Sequence, residues 1–202
     1  NKFFKYNLIP SVSTKEHLNI LLTEKSKLKS NKKISVHIKI DTGMNRLGVD
    51  YSESINFIQK ISLNKNFVID GIFTHFASSD EVGSDYAKLQ INRFDKIIAE
   101  LKTENIDYGL AHAANSGAII DFPDAYYDMV RPGISLYGYY PSLQTSESVK
   151  LYPVMSLVSK VSTIKKIKQA ESVSYSRRYF TKNETKIISV PIGYADGFSR
   201  SL

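Results

Sequence analysis

The sequence predicts an α/β fold, a partial TIM-like (β/α) barrel followed by part of an all-β domain, and three observations carry that expectation. Short β-branched runs alternate with amphipathic helical segments at roughly thirty-residue spacing through most of the chain, the pattern of parallel βα units in a barrel or an open doubly wound sheet. Beyond the polar segment from Gln144 to Lys150, strands and turns continue without helices long enough to cross over between them. Residues able to do chemistry fall just past the C-terminal ends of the predicted strands, where barrel enzymes build their sites.

Each element has a local reason. "NLIPSV" reads as extended, and "STKEHLNILLTEK" as a helix opened by a Ser13/Glu16 capping box ahead of an apolar face of Leu18, Leu21 and Leu22. "KISVHIKID" is a β-branched strand. A helix near Tyr51 to Leu63 follows, with Ile55, Ile58 and Ile61 at helical spacing. "FVIDGIFTHFA" is the next strand, and a longer helix from about Asp85 to Lys102 is expected to turn Tyr86, Leu89, Ile97, Ile98 and Leu101 inward. "YGLAHAA" is a short strand, and "YYDMVRPG" with "ISLYGYY" closes this half. In the second part "VMSLVSKVSTIKKIKQ", "ESVSYSRRYF" and "TKIISVPIGYADG" read as strands.

Composition bounds the function. At 202 residues and 42% hydrophobic content, the chain can bury a sizeable core. With no cysteine, disulfides, thiolate nucleophiles and thiolate zinc sites are excluded, and a reducing cytoplasm is the expected location. No apolar run approaches the ~18–20 residues of a membrane span, so no membrane partner is expected. The +7 net charge invites a nucleic-acid reading, yet the lysines of "EKSKLKSNKK" and "TIKKIKQ" lack an aromatic-interleaved groove or a recognition motif. Solvated helix faces account for them, and no nucleic acid is expected. The opening at Asn1 and the ending "GFSRSL" lead us to expect an internal piece of a longer chain.

The unusual residues then form a pattern. Arg46 lies after one predicted strand, His75 at the end of the next, Asn115 and Ser116 after another, and Arg131 with Gly133 after a fourth. "NSG" and "RPGI" offer a hydroxyl and backbone N–H groups, equipment for holding a phosphate without a P-loop. Two arginines, a histidine and such a cradle suggest an anionic cofactor. On local grounds "NSG" reads equally well as a plain helix N-cap, and His75 as a satisfied barrel histidine. Lys39 sits in a strand that reads as buried, ahead of the "DTG" turn that leads to Arg46.

"HIKIDTGMNRLGVD", "GIFTHFASSDE", "HAANSGAII", "DMVRPGISLYG", "VSYS" and "VPIGYADGFSR" together resemble the alanine racemase family, in that family's order and at about its spacings. The resemblance implies a barrel holding pyridoxal 5'-phosphate (PLP), followed by a β-domain. It also implies a cytoplasmic head-to-tail homodimer whose shared active sites interconvert L- and D-alanine for peptidoglycan. By resemblance, Arg131 bonds the pyridine nitrogen with His75 in support, and Ser116 with the backbone of Gly133 and Ile134 binds the phosphate, Asn115 standing in the same shell. Lys39, carbamylated, would orient Arg46 toward the phenolic oxygen of the cofactor and the substrate carboxylate. Tyr175 would be the base for the L-enantiomer in the partner's site, and Tyr194 would line the entry channel; no metal is implied. Two positions depart from the family pattern: Asn45 and Ser176 stand where glycine is usual.

The lysine that carries the cofactor in this family belongs to a "KADAYGHG"-like motif that these 202 residues do not contain. The expectation is therefore residues 1–145 as a PLP-binding barrel portion of about five strands without the first barrel units, and 146–202 as the start of the β-domain. This piece alone is expected to be inactive. A racemase of the same fold acting on serine or lysine, or a non-enzymatic PLP-binding barrel protein, are the alternative readings.

Overall fold

The computed structural model describes residues 2–28 and 31–199. Part of the lysine-rich "EKSKLKSNKK" segment and the end of "GFSRSL" lie outside the described residues. The chain divides into two compact units, residues 1–154 and 155–202.

The first unit is built on parallel strands taken in chain order. After the short helix α1 (Lys2–Lys5), β1 (Ser11–Val12) pairs with β2 (Ile34–Asp41), β2 with β4 (Phe67–Phe73), and β4 with β5 (Leu110–His112), all parallel. The two-residue β3 (Val49–Asp50) pairs with the end of β2. A doubly wound sheet reverses its strand order at a switch point; this one does not, and sequential order is that of a barrel wall. Beside β5, Met129 bridges His112, and the amide of Arg131 donates to the Ala114 carbonyl at 2.9 Å, so the segment before Pro132 extends the wall.

Helices α2 (Lys15–Lys27), α3 (Ser54–Ser62), α4 (Asp85–Thr103) and the short α5 (Ser116–Asp121) complete the unit. Thr14, rather than Ser13, caps α2, because its hydroxyl accepts the amide of His17. Along β2 the alternation buries Val36, Ile38 and Ile40 completely on one side, where they share a core with Ile58 and Ile61 of α3 and Phe94 and Leu101 of α4. Ser35, His37, Lys39 and Asp41 therefore point to the other side, the barrel interior. On α4 the buried stripe is Ala87, Gln90, Ile91, Phe94, Ile97, Ile98 and Leu101, whereas Tyr86 and Leu89 remain exposed. Hydrophobicity alone mistook these two for core: a polar residue, Gln90, holds an inward position that they do not.

A bulge in β4 sets the register that matters most. Val36 pairs with Ile69 but His37 pairs with Gly71, so Asp70 is the extra residue. Plain alternation would put Ile69, Gly71 and Phe73 on one side. With Asp70 extruded, Ile69 and Ile72 turn to the helices while Gly71 and Phe73 turn inward with His37 and Lys39.

The polar segment chosen from sequence as the domain boundary is tied to the first unit. Ser142 Oγ and Thr145 Oγ1 donate to the Asp80 carbonyl at 2.5 and 3.1 Å, and the Ser146 amide donates to Asp121 Oδ2 at 3.0 Å. The division accordingly falls after Val154. In the second unit β6 (Thr163–Ile167) pairs antiparallel with β9 (Thr185–Ser189), and β7 (Ser172–Val173) with β8 (Tyr179–Phe180). The stretch from Val154 to Ser162, read from sequence as part of a strand, carries none. No helix among the described residues is long and apolar enough to cross a membrane.

After β2 the chain turns sharply. Asp41 Oδ1 accepts the amides of Gly43 and Asn45 at 2.9 and 3.1 Å, and Asn45 has φ 54. That left-handed conformation costs an ordinary L-residue ~1–2 kcal/mol, a penalty that asparagine and glycine largely escape. Asn45→Gly should therefore leave the urea-unfolding midpoint nearly unchanged, while Asn45→Val lowers stability by roughly 1–2 kcal/mol; equal midpoints for the two variants would contradict the strain argument.

Candidate functional site

The inward side chains meet in layers. Lys39, Phe73 and His112 stand in register on β2, β4 and β5. The Phe73 ring is stacked on His112, centroids 4.8 Å apart and planes 6° apart, with the Lys39 ammonium 5.2 Å and the Arg131 guanidinium 5.4 Å from its centroid. Two cations over one ring are held in part by its quadrupole.

Arg131 organises the strand ends. Its Nη2 donates to the carbonyls of Thr74 at 2.7 Å and Ala113 at 2.8 Å, just beyond β4 and β5. Its Nη1 lies 2.6 Å from His112 Nδ1, and His75 Nδ1 lies 3.4 Å from Nη2. A guanidinium only donates, so His112 Nδ1 is the acceptor and its proton resides on Nε2. That proton goes to His37 Nδ1, 2.9 Å away. His37 reaches it because Gly71 has no side chain: a Cβ there would stand 2.7 Å from His37 Cε1 and 2.8 Å from the Leu110 carbonyl oxygen. The principal support of Arg131 is thus His112, which sequence reasoning quoted within "HAANS" but gave no role; His75, expected to do this, is the longer contact. A histidine at a strand end, in register with an inward lysine, was the available signal.

Electrostatics follow from burial beside fixed cations. Burial first, then Arg131, lowers the pKa of His112 to about 3 and of His75 to about 4, so both imidazoles are neutral near pH 7. Arg131 is lowered by burial to about 10 and stays cationic. Lys39 is 8% exposed, and its Nζ has no hydrogen-bond partner. Burial, followed by the charges of Arg131 and Arg46 against the opposing Asp41, brings it down to about 8. A buried amine without a partner, close to its titration point, is a reactive group.

Arg46 lies exposed on the turn after β2, near enough for its charge to act on both Lys39 and His75. Ser116 Oγ accepts the amides of Gly133 and Ser135 at 2.8 and 3.2 Å, joining the start of α5 to the 3-10 turn Ile134–Tyr137. The amide of Ile134 opens that turn, where helical geometry offers it no partner. Asn115 is the N-cap of α5: its Oδ1 accepts the Ala118 amide at 3.1 Å and the Ser79 hydroxyl at 2.7 Å. In the second unit Tyr175 is 84% exposed and follows Ser174 at φ 61, with Ser176 also at φ 61. Tyr194 begins the 3-10 turn Tyr194–Asp196 and is exposed.

In the first unit the arrangement suits an anionic ligand with an acceptor nitrogen. Of its five N–H groups, Arg131 spends both Nη2 hydrogens on carbonyls and one Nη1 hydrogen on His112, leaving one Nη1 hydrogen and the Nε hydrogen. Among the described residues no three His, Cys, Asp or Glu side chains gather as metal ligands.

Comparison with known proteins agrees with this geometry. Residues 1–141 match the model of the alanine racemase N-terminal domain and residues 154–202 that of the alanine racemase C-terminal domain. An alanine racemase of Treponema denticola is 45% identical over 204 aligned residues, covering 100% of this chain and 53% of that protein. One from Carboxydothermus hydrogenoformans is 43% identical, with 100% and 54% coverage. Among solved structures, alanine racemase from Clostridium difficile 630 superposes with a TM-score of 0.81 at 36% identity, over 98% of this chain and 52% of that one. The enzyme from E. faecalis gives 0.82 at 34% identity, over 98% and 53%. The chain spans about half the length of these relatives, and its residues and both of its units show that it belongs to the alanine racemase family.

Proposed function

We propose that this chain is the central part of a PLP-dependent alanine racemase of the cytoplasm, working as a homodimer that interconverts L- and D-alanine. The observation that carries the proposal is Arg131, a buried cation fixed by two strand-end carbonyls and a neutral imidazole, with donors left over for a ligand. Pyridoxal phosphate, when bound, supplies delocalisation of the negative charge left when the α-proton of alanine departs.

This chain's residues fit that group. Arg131 offers a hydrogen bond to the pyridine nitrogen and, keeping its own proton near neutrality, leaves that nitrogen an acceptor. Ser116, Gly133 and Ile134 face the phosphate with a hydroxyl and backbone N–H groups, and Asn115 holds the turn that presents them. Arg46 takes the substrate carboxylate.

Proton transfer is assigned to Tyr175 of a second copy, whose Oη removes the α-proton of L-alanine. An unperturbed phenol titrates near ~10, so the base needs donors and positive charge close by. His75, with Nδ1 toward Arg131, presents Nε2–H as a donor to the phenolate. The proton for the opposite face comes from a lysine outside these residues, consistent with a chain spanning about half of its relatives. The test is the intact gene product: Tyr175→Phe should slow L-to-D turnover by ~10²–10⁴-fold with cofactor absorbance retained, and an unchanged rate would remove Tyr175 from the mechanism.

Lys39 is assigned carbamylation. Its neutral amine adds to CO2, forming an N–C bond and releasing a proton, and the product anion is attracted by the Arg131 and Arg46 charges that repel the ammonium. Native mass spectrometry in bicarbonate buffer above pH 8 should show one CO2 added at Lys39, lost on acidification; an unmodified amine under those conditions would refute the assignment.

The neutral histidines also fix a pH dependence. Their folded pKa values are depressed from 6.5, so the unfolded chain binds protons first as pH falls. The stability due to neutral His75 and His112 is full above about pH 6.5 and declines as pH drops toward their folded values. Urea midpoints should fall between pH 6.5 and 5, and His112→Asn should flatten that slope.

A further inference from the structure

The inner side of α4 is polar where it meets the site. Tyr86, Gln90 and Arg93 are spaced i, i+4 and i+7, one face of a helix. All three bind the two residues that begin the turn after β2. Tyr86 Oη donates to the Gly43 carbonyl at 2.8 Å, Arg93 Nη1 to the Thr42 carbonyl at 2.8 Å, and Gln90 Nε2 to Thr42 Oγ1 at 3.3 Å. The turn is pressed against the helix: a Cβ on Gly43 would stand 2.6 Å from Tyr86 Oη and 3.2 Å from Arg93 Nη1.

Gln90 alone of the three also reaches the second strand end. The same Nε2 donates to the His75 carbonyl at 3.1 Å, and Oε1 accepts the Ala77 amide at 2.9 Å. Thr42 Oγ1 lies 2.7 Å from Thr74 Oγ1, and the Thr74 carbonyl receives Arg131. The path from Arg131 runs through Thr74 and Thr42 to Gln90, then along the turn to Arg46. The neighbours of Gln90 along the buried stripe, Ala87, Ile91 and Phe94, are apolar, so a leucine or methionine would fill the position. A fully buried amide with both of its hydrogens engaged is instead a device for fixing geometry.

We infer that Gln90 is a positioning residue that sets the separation between the Arg46 turn and the His75 and Arg131 strand ends. The chemical meaning rests on the proposed function, in which Arg46 takes the substrate carboxylate and Arg131 the cofactor nitrogen. Two arginines at a fixed spacing select a ligand whose acceptors match it. Releasing Gln90 lets the Arg46 turn drift, which weakens alanine binding more than it slows turnover.

Two variants of the intact protein test this. Gln90→Glu keeps the acceptor for the Ala77 amide but donates to Thr42 or His75 only when protonated, and burial raises the pKa of such a carboxyl. Its KM for alanine should be about tenfold above wild type at pH 9 and approach wild type as pH falls, with kcat within about threefold. Gln90→Leu has no donor at any pH, so its KM should be raised without that recovery. KM values and pH profiles parallel to wild type in both variants would overturn the inference, as would losses that only track the folded fraction. Should the wild-type protein fail to racemise alanine, the functional reading falls while the positioning claim is judged by hydrogen exchange. The Gly43, Asn45 and Ala77 amides should then exchange about tenfold faster in Gln90→Leu, or in Gln90→Glu at pH 9 if the leucine variant does not fold. Unchanged exchange would overturn the positioning claim by itself.

Discussion

Two backbone carbonyls, those of Thr74 and Ala113, share the Nη2 of Arg131, and this sharing is the constraint on which the site depends. At these strand ends the carbonyls have run out of strand partners, and a buried arginine has no carboxylate to neutralise it among its printed contacts. Each solves the other's problem. Hydrogen bonds to a charged group contribute about 1.5–3 kcal/mol apiece, against the several kcal/mol that burying a cation costs. The balance holds only while β4 and β5 keep the register that brings both carbonyls within reach.

Further properties follow from that fixed charge. A cation that cannot leave forces His112 and His75 to stay neutral, which settles who donates to whom along Arg131, His112 and His37. It also presses on Lys39, whose amine is accommodated by the Phe73 ring rather than by an anion. A barrel interior filled with imidazole, aromatic and amine groups in place of branched aliphatics is a core shaped for a ligand, with the aliphatic packing displaced to the helix side at Val36, Ile38 and Ile40.

Much of this was legible in the sequence because it is local. The strands of the first unit follow from β-branched runs, α3 and α4 from helical periodicity, and the left-handed turn at Asn45 from a residue that tolerates it. Arg46, His75, Ser116 and Arg131 were recognisable because strand ends and glycine turns are marked in the chain. What escaped was long-range. No local pattern reveals that a glycine in β4 makes room for His37 from β2, that His112 rather than His75 lies closest to Arg131, or that Gln90 is spent on two loops. Tyr86 and Leu89 were misassigned because periodicity counts apolar residues and cannot see a hydrogen bond waiting at the same face. The domain division was misplaced for a similar reason: a polar loop looks like a linker until its partners, Asp80 and Asp121, are known.

The bulge at Asp70 has a consequence for how this chain can change over generations. Barrel walls commonly vary in length at their loops, but here an extra residue in mid-strand decides which neighbours look inward. Losing that one residue would leave the length of the strand almost intact and exchange its two sides, presenting Ile72 to the interior and turning Phe73 toward the helices. Substitutions around the site can accumulate singly, whereas β4 admits no single-residue insertion or deletion between Ile69 and His75. Its length is thus a heritable part of the chemistry, as binding as the identity of any side chain it carries.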